Sequence, residues 1–157
     1  MKKKHLLIVF VISISIFIIL VSKGFSQSSF SRVPLPKEIE IKIPSPELPK
    51  EIAAFSGKWG GSWQKVMDFI IVVTEINSEK AEVIYAYADT PVWRIRAGYD
   101  YYTATVIPGE KPRIEFRTPR TGAWVTFEMQ KDLKALKGTY DRAAIGLHQK
   151  AVMEKIQ

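Results

Sequence analysis

The sequence predicts an all-β domain: an eight-stranded antiparallel up-and-down barrel, preceded by a Pro-rich extended arm and a short helical turn. Three observations lead there. After Phe55 the chain runs in short β-rich segments, with no ten-residue stretch of helical period. Turn residues separate those segments at spacings that leave mostly short connections, the mark of a meander. An eight-strand meander removes its edges by closing, and at that size the interior either fills with side chains or holds one small ligand.

Strands are expected at about 56–64, 68–76, 80–88, 98–107, 112–118, 122–130, 134–142 and 146–156. Ala123, Val125, Phe127 and Met129 alternate with Trp124, Thr126 and Glu128, as a half-buried strand requires. Ile114 and Phe116, set between Arg113, Glu115 and Arg117, repeat the pattern. Three turns are well signed: Asn77-Ser78-Glu79-Lys80, Pro108-Gly109-Glu110-Lys111 and Thr118-Pro119-Arg120-Thr121-Gly122. In the last two, proline presets one dihedral and glycine accepts a positive φ. Gly60-Gly61 inside the first strand is expected to mark a bend needed for closure rather than a ligand contact.

The N-terminus has a different texture. Lys2, Lys3 and Lys4 precede an uncharged apolar run from Leu6 to Val21, which ends in Ser22-Lys23-Gly24-Phe25-Ser26. That order is a secretory signal, and the run falls short of the roughly 20 residues that span a bilayer. Residues 1–26 are therefore expected to be a signal peptide cut after Ser26, giving an exported protein, periplasmic or secreted. An uncleaved membrane anchor is the alternative. The chain has no cysteine, which excludes a lipid-modified thiol, a disulfide scaffold and a thiolate metal site.

Export changes the meaning of the charge. The chain carries 23 Lys plus Arg against 16 Asp plus Glu, a formal +7. Four of the bases, Lys2, Lys3, Lys4 and Lys23, lie in the expected signal, so the mature chain keeps 19 bases against 16 acids, a net +3. That is ordinary for a small domain and argues against nucleic acid as the partner.

Residues 27–54 form the expected arm. Pro34, Pro36, Pro44, Pro46 and Pro49 keep it extended, as a tether or a strap across a surface. Ile39, Ile41 and Ile43 alternate with charged residues and offer one apolar side to the domain or to a partner. Leu-Pro-Lys-Glu-Ile occurs twice, at Leu35–Ile39 and Leu48–Ile52, and reads as composition bias rather than a repeat. The second copy continues into Ala53-Ala54, so a helical turn there, with proline at its start, is expected to plug the end of the barrel that occupies 55–157.

At Gly57-Lys58-Trp59, just after that turn and opening the first strand, the sequence resembles the calycin superfamily of lipocalin-like and avidin-like barrels. Their first strand carries a Gly-x-Trp whose indole packs over the closed end, which gives Gly57 and Trp59 a structural role here. The resemblance spans roughly Pro49 to Ile156. It departs from the pattern in lacking a Thr-Asp-Tyr between later strands and an arginine near the C-terminal end to stack on Trp59, for which Lys155 is the nearest substitute. Phe55-Ser56-Gly57-Lys58-Trp59-Gly60-Gly61-Ser62-Trp63, with Ile84-Tyr85-Ala86-Tyr87-Ala88-Asp89-Thr90-Pro91, also looks like small exported bacterial barrel domains of unassigned activity.

Meander topology decides which loops share an end. If the first strand leaves the plugged end at Gly57, the loops near 64–67, 89–97, 118–121 and 142–145 all meet at the open mouth. They hold Lys65, Arg94, Arg96, Arg120 and Arg142 against Asp89, with Asp68 and Asp141 just inside the neighbouring strands. The loop from Asp89 to Ala97 is the longest and contributes Trp93 beside its arginines, an apolar body with cationic tips. Loops on a rigid scaffold are where binding residues collect, and arginine presents a planar fork to carboxylate or phosphate. The expected ligand-binding set is Trp93, Arg94, Arg96, Arg120 and Arg142, with Tyr85 and Tyr87 on the inner wall and Trp63, Tyr99 and Tyr101 as further wall candidates. The alternative is that the arginines are solvated or pair with Asp68, Asp89 and Asp141 while the aromatics fill the core.

Catalytic chemistry finds little support. Beyond the signal the only histidine is His148, no serine lies in a nucleophile context, and Asp68, Asp89 and Asp141 have no distinctive spacing. No enzyme activity, cofactor or metal site is expected. The expected function is an exported barrel that binds a small amphipathic or anionic molecule, or an envelope component, at a basic mouth. The alternative is a non-catalytic structural or accessory module that docks a partner protein through its arm or barrel surface.

Overall fold

In the computed structural model, which describes residues 30–157, the eight strands close into one barrel in chain order. The expected signal and its cleavage point lie outside the described residues. The strands are β1 (Gly57–Trp63), β2 (Met67–Ile76), β3 (Lys80–Tyr87), β4 (Gly98–Ile107), β5 (Arg113–Arg117), β6 (Trp124–Met129), β7 (Ala135–Arg142) and β8 (Leu147–Ile156). Each pairs antiparallel with the next, and β1 closes on β8 through Lys58↔Ile156 to Gly61↔Met153.

The first cluster fills the barrel from the closed end. A helical turn, α1 (Lys50–Ala53), puts Ile52 beneath the strands, and Phe55 follows it into the interior. Pro49 stands one position before the helix rather than on its first turn, with ψ 135°. The Trp59 indole N–H donates to the Phe55 carbonyl at 2.8 Å, tying plug to strand. The Lys155 ammonium sits 5.1 Å from the Trp59 ring centroid, a cation–π contact that fills the place foreseen for it at the closed end. Above this layer Trp63 stacks on Phe69 at 4.6 Å, with Phe127 and Tyr140 against its other sides.

The arm is a strap on the barrel's outside. Val33 joins Ile70, Val72, Ile84, Ala86 and Ala88 in a second apolar cluster, with Phe30, Leu35, Ile39 and Ile41 packed on it and Ile43 left exposed. This explains why Phe69–Val73 in β2 and Val83–Tyr87 in β3 are continuous apolar runs: the core lies on one face and the strap on the other. Between Val73 and Glu75 the β2–β3 register shifts. At this bulge the Thr74 carbonyl accepts the Lys42 amide at 2.8 Å, and the Lys42 ammonium pairs with Glu75 at 2.6 Å.

Gly60 and Gly61 are close-approach positions on opposite faces of β1. A Cβ on Gly61 would meet Met153 at 2.7 Å inside the barrel, and one on Gly60 would come within 2.5 Å of the Phe30 ring outside it. Gly60→Ala should therefore displace Phe30 and loosen the start of the strap, at a cost of about 1–3 kcal/mol. Faster tryptic cleavage at Arg32 together with a lowered thermal midpoint would show it. Cleavage at the wild-type rate would mean that the ring accommodates the methyl.

Candidate functional site

The plugged half of the barrel is solid, but the other half is hollow. A cavity of about 730 Å³ opens at the mouth, with Tyr85, Met67 and Gln149 among its walls and the 88–97 and 118–123 loops at its entrance. Strand parity decides what faces it. On β4, Ala104 and Val106 are buried and Thr103 and Thr105 exposed, so Tyr102 and Asp100 point inward. On β7 the same count from Leu136 brings in Tyr140 and Arg142, and on β8, from Met153 and Ala151, it brings in Gln149 and Leu147.

Of the residues expected at the site, Tyr85, Tyr87, Trp93, Arg94, Arg120 and Arg142 are brought together on this cavity, and Arg96 is not. The reason lies in the 88–97 loop. Thr90 and Ile95 form a bridge whose amides exchange bonds of 2.8 and 3.1 Å, and between them Pro91–Trp93 makes a single 3-10 turn. Arg94 closes that turn in the left-handed region at φ 53°. Trp93, Arg94 and Ile95 then line the cavity, while Val92 and Arg96 are exposed. Tyr99 and Tyr101 lie on the outer wall, against the expectation that they line the interior, because they have the opposite parity to Tyr102. Trp63 belongs to the packed floor.

Arg120 is held by the β5–β6 turn. The Thr118 and Thr121 hydroxyls bond to each other, and Thr121 bonds to the Tyr140 hydroxyl at 2.8 Å, which fastens the turn to the inner wall. Gly122, at φ 68°, returns its amide to the Thr118 carbonyl at 2.8 Å. Among the described residues, no ion pair involves Arg94, Arg120 or Arg142, so none is spent on Asp68, Asp89 or Asp141. Asp141 instead faces His148 on the outer wall, 3.9 Å away. The Arg142 Nε is buried without a hydrogen-bond partner. Among the described residues Asp100 is the one carboxylate on the cavity, and it accepts the Tyr87 hydroxyl at 3.2 Å.

The sequence reading missed Asp100, Tyr102, Tyr140 and Gln149, although alternation along β4, β7 and β8 carries them. Gln149 is 7% exposed, lines the cavity, and makes no side-chain hydrogen bond among the described residues. Tyr85 accepts the Trp63 indole N–H at 2.8 Å, which leaves its own proton to donate.

The tyrosines hold their protons. Burial raises Tyr85, against the hydrogen bond from Trp63. Burial and then Asp100 raise Tyr87, and they push Tyr102 up to about 12, with Arg120 opposing in both cases. The folded state thus keeps these protons to higher pH than the unfolded chain, whose tyrosines ionise near the ordinary 10.0. The Tyr102 contribution to stability is complete below about pH 10 and is lost as pH climbs toward about 12. Alkaline unfolding followed by near-UV circular dichroism should run flat and then fall steeply across that window. A flat profile through its upper end would place these hydroxyls in water.

No known protein family and no characterised protein matches the chain. What the cavity can do must be read from its walls. It offers three guanidinium groups against one carboxylate at the entrance, apolar contact from Trp93, Met67, Ile95 and Leu147, and free polar groups at Gln149 and Tyr85. Among the described residues no cluster of acids or histidines could hold a metal ion.

Proposed function

We propose that the protein is a binding barrel for a small amphipathic anion, exported and of calycin-like type. The observation that carries this is the half-filled interior: above the Trp63 floor the aromatics continue only as a wall, Tyr85 against Tyr87 and Tyr102 stacked on Phe116, and they enclose a cavity of about 730 Å³. That volume lies within the usual range for ligand sites. The ligand's anionic group meets Arg94, Arg120 and Arg142 near the entrance, where their guanidinium forks make no ion pair among the described residues. Its body lies among the ring faces of Trp93, Tyr87 and Tyr102, and a polar group on it meets the Gln149 amide. The plug turn, the Trp59 indole over the closed end and Lys155 upon it support the calycin-like assignment.

Titration with anilinonaphthalene sulfonate, an amphipathic anion with a fluorescence readout, tests the assignment. One saturable site with enhanced emission is expected, and Gln149→Leu should weaken it about threefold to tenfold. Absence of saturable binding by this probe, and by fatty acids of graded length, would overturn it.

A further inference from the structure

We infer that the mouth of the barrel docks on an anionic lipid bilayer, with three loop tips entering the interface. This rests on the binding barrel proposed above, since the docked face is also the cavity's entrance. Two asymmetries on the surface support it.

The first is apolar. Val66 in the β1–β2 loop is 48% exposed, Val92 at the turn of the 88–97 loop 82%, and Ile145 in the β7–β8 loop 60%. The meander brings these three loops to one end. Tyr99 near the start of β4 and Trp124 at the start of β6 lie on the outer wall close to that end, and both are exposed. Aliphatic tips with amphipathic aromatics behind them match a bilayer, in which apolar side chains enter the acyl boundary and Trp and Tyr settle among the headgroups.

The second asymmetry is charge. The loops at the mouth, residues 64–66, 88–97, 118–123 and 143–146, hold four bases, Lys65, Arg94, Arg96 and Arg120, against one acid, Asp89. The loops at the plugged end, 77–79, 108–112 and 130–134, are balanced, three bases against three acids. A near-neutral domain therefore has one cationic end, which an anionic surface attracts and orients. Arg96 and Lys65 do not line the cavity, and their guanidinium and ammonium groups are exposed on the rim where headgroups would lie. Docking places the entrance against the layer that holds amphipathic anions, so a ligand could pass between bilayer and barrel without crossing water.

The test uses the chain from Gln27, the expected mature form, so that the apolar run Leu6–Val21 cannot itself enter the vesicles, with near-UV circular dichroism showing that it is folded. It is sedimented with phosphatidylcholine vesicles, or with vesicles in which about a third of the lipid is phosphatidylglycerol. At low salt, partition onto the anionic vesicles is expected to exceed that onto the neutral ones by about tenfold or more, and to fall as salt is added. Val66→Ser, Val92→Ser and Ile145→Ser together, and separately Lys65→Ser with Arg96→Ser, should each reduce it several-fold, with near-UV circular dichroism unchanged. Equal partition onto both vesicle types, or none, overturns docking. Substitutions that leave partition unchanged also overturn it and assign the tips to a protein contact. Sulfonate binding without vesicle binding leaves the binding barrel standing and removes the docking. Vesicle binding without uptake of the sulfonate or of fatty acids removes the binding barrel and leaves the docking.

Discussion

Replacing Trp63 with alanine is expected to destabilise the barrel by about 3–5 kcal/mol, the largest effect of any single substitution considered. Trp63 is fully buried and forms the floor between the solid half and the hollow half. Its ring stacks on Phe69 at 4.6 Å and 8°, meets Phe127 at 6.3 Å and takes the edge of Tyr140 at 6.1 Å. Gly138 makes room for it, since a Cβ there would stand 3.1 Å from the indole and 3.2 Å from Phe127. Alanine would remove these contacts, leave the Tyr85 hydroxyl without its donor, and extend the cavity toward the plug. Trp63→Phe keeps a ring against Phe69 and loses the N–H and some volume, at about 1–2 kcal/mol. Urea unfolding of the two variants measures the difference. Equal stability of the alanine variant and the parent would show that the floor carries no packing energy.

Alanine at both Arg120 and Arg142 is expected to weaken anilinonaphthalene sulfonate by about a hundredfold, roughly tenfold for each charge-assisted bond lost. The two reach the cavity from different elements, Arg120 from the β5–β6 turn and Arg142 from the last position of β7. Neither is paired with a carboxylate among the described residues, so removing them leaves no acid newly stranded. The uncharged parent arylamine, titrated alongside, should lose little, because it depends on the aromatic walls alone. An equal loss for both probes would mean that the cavity had collapsed. The double variant should also raise Tyr87 and Tyr102 further, since Arg120 is the cation that holds them down. Ultraviolet titration of tyrosinate reads that shift independently of ligand.

The strands were legible because a half-buried sheet writes itself as alternation, and Ile114-Glu115-Phe116 or Val125-Thr126-Phe127 can be laid down in only one way. From the strands came the ends of the barrel, and from the ends the gathering of Arg94, Arg120 and Arg142 at one mouth. Tyr140 and Gln149 were missed although β7 and β8 alternate, and on β4 the contrast is weaker. Tyr99-Asp100-Tyr101-Tyr102 has no apolar–polar contrast, and only Ala104 and Val106 further along set its parity, which turned out opposite to that expected for Tyr99 and Tyr101. Ile84 and Ala86 are apolar on the outside because a distant segment covers them. Arg96 differs from Arg94 by two positions, yet a bridge between Thr90 and Ile95 leaves it outside.

Leu-Pro-Lys-Glu-Ile shows where the boundary falls. At Leu35–Ile39 the five residues run over the barrel without helix, bending at Lys37, with Leu35 and Ile39 on the outer cluster. At Leu48–Ile52 the same five lead into α1, with Ile52 under the core. The residues C-terminal to each copy bias the outcome, alternating isoleucines after the first and two alanines after the second. By itself the sequence determined the number of strands, their order and the sign of the charge at each end, because periodicity, turn residues and chain order are local properties. Which residues of the 88–97 loop turn into the cavity, which face of β2 takes the strap, and how far the aromatics fill the barrel were decided only on closure. Those outcomes depend on volume shared by side chains far apart in the chain, and no local pattern records it.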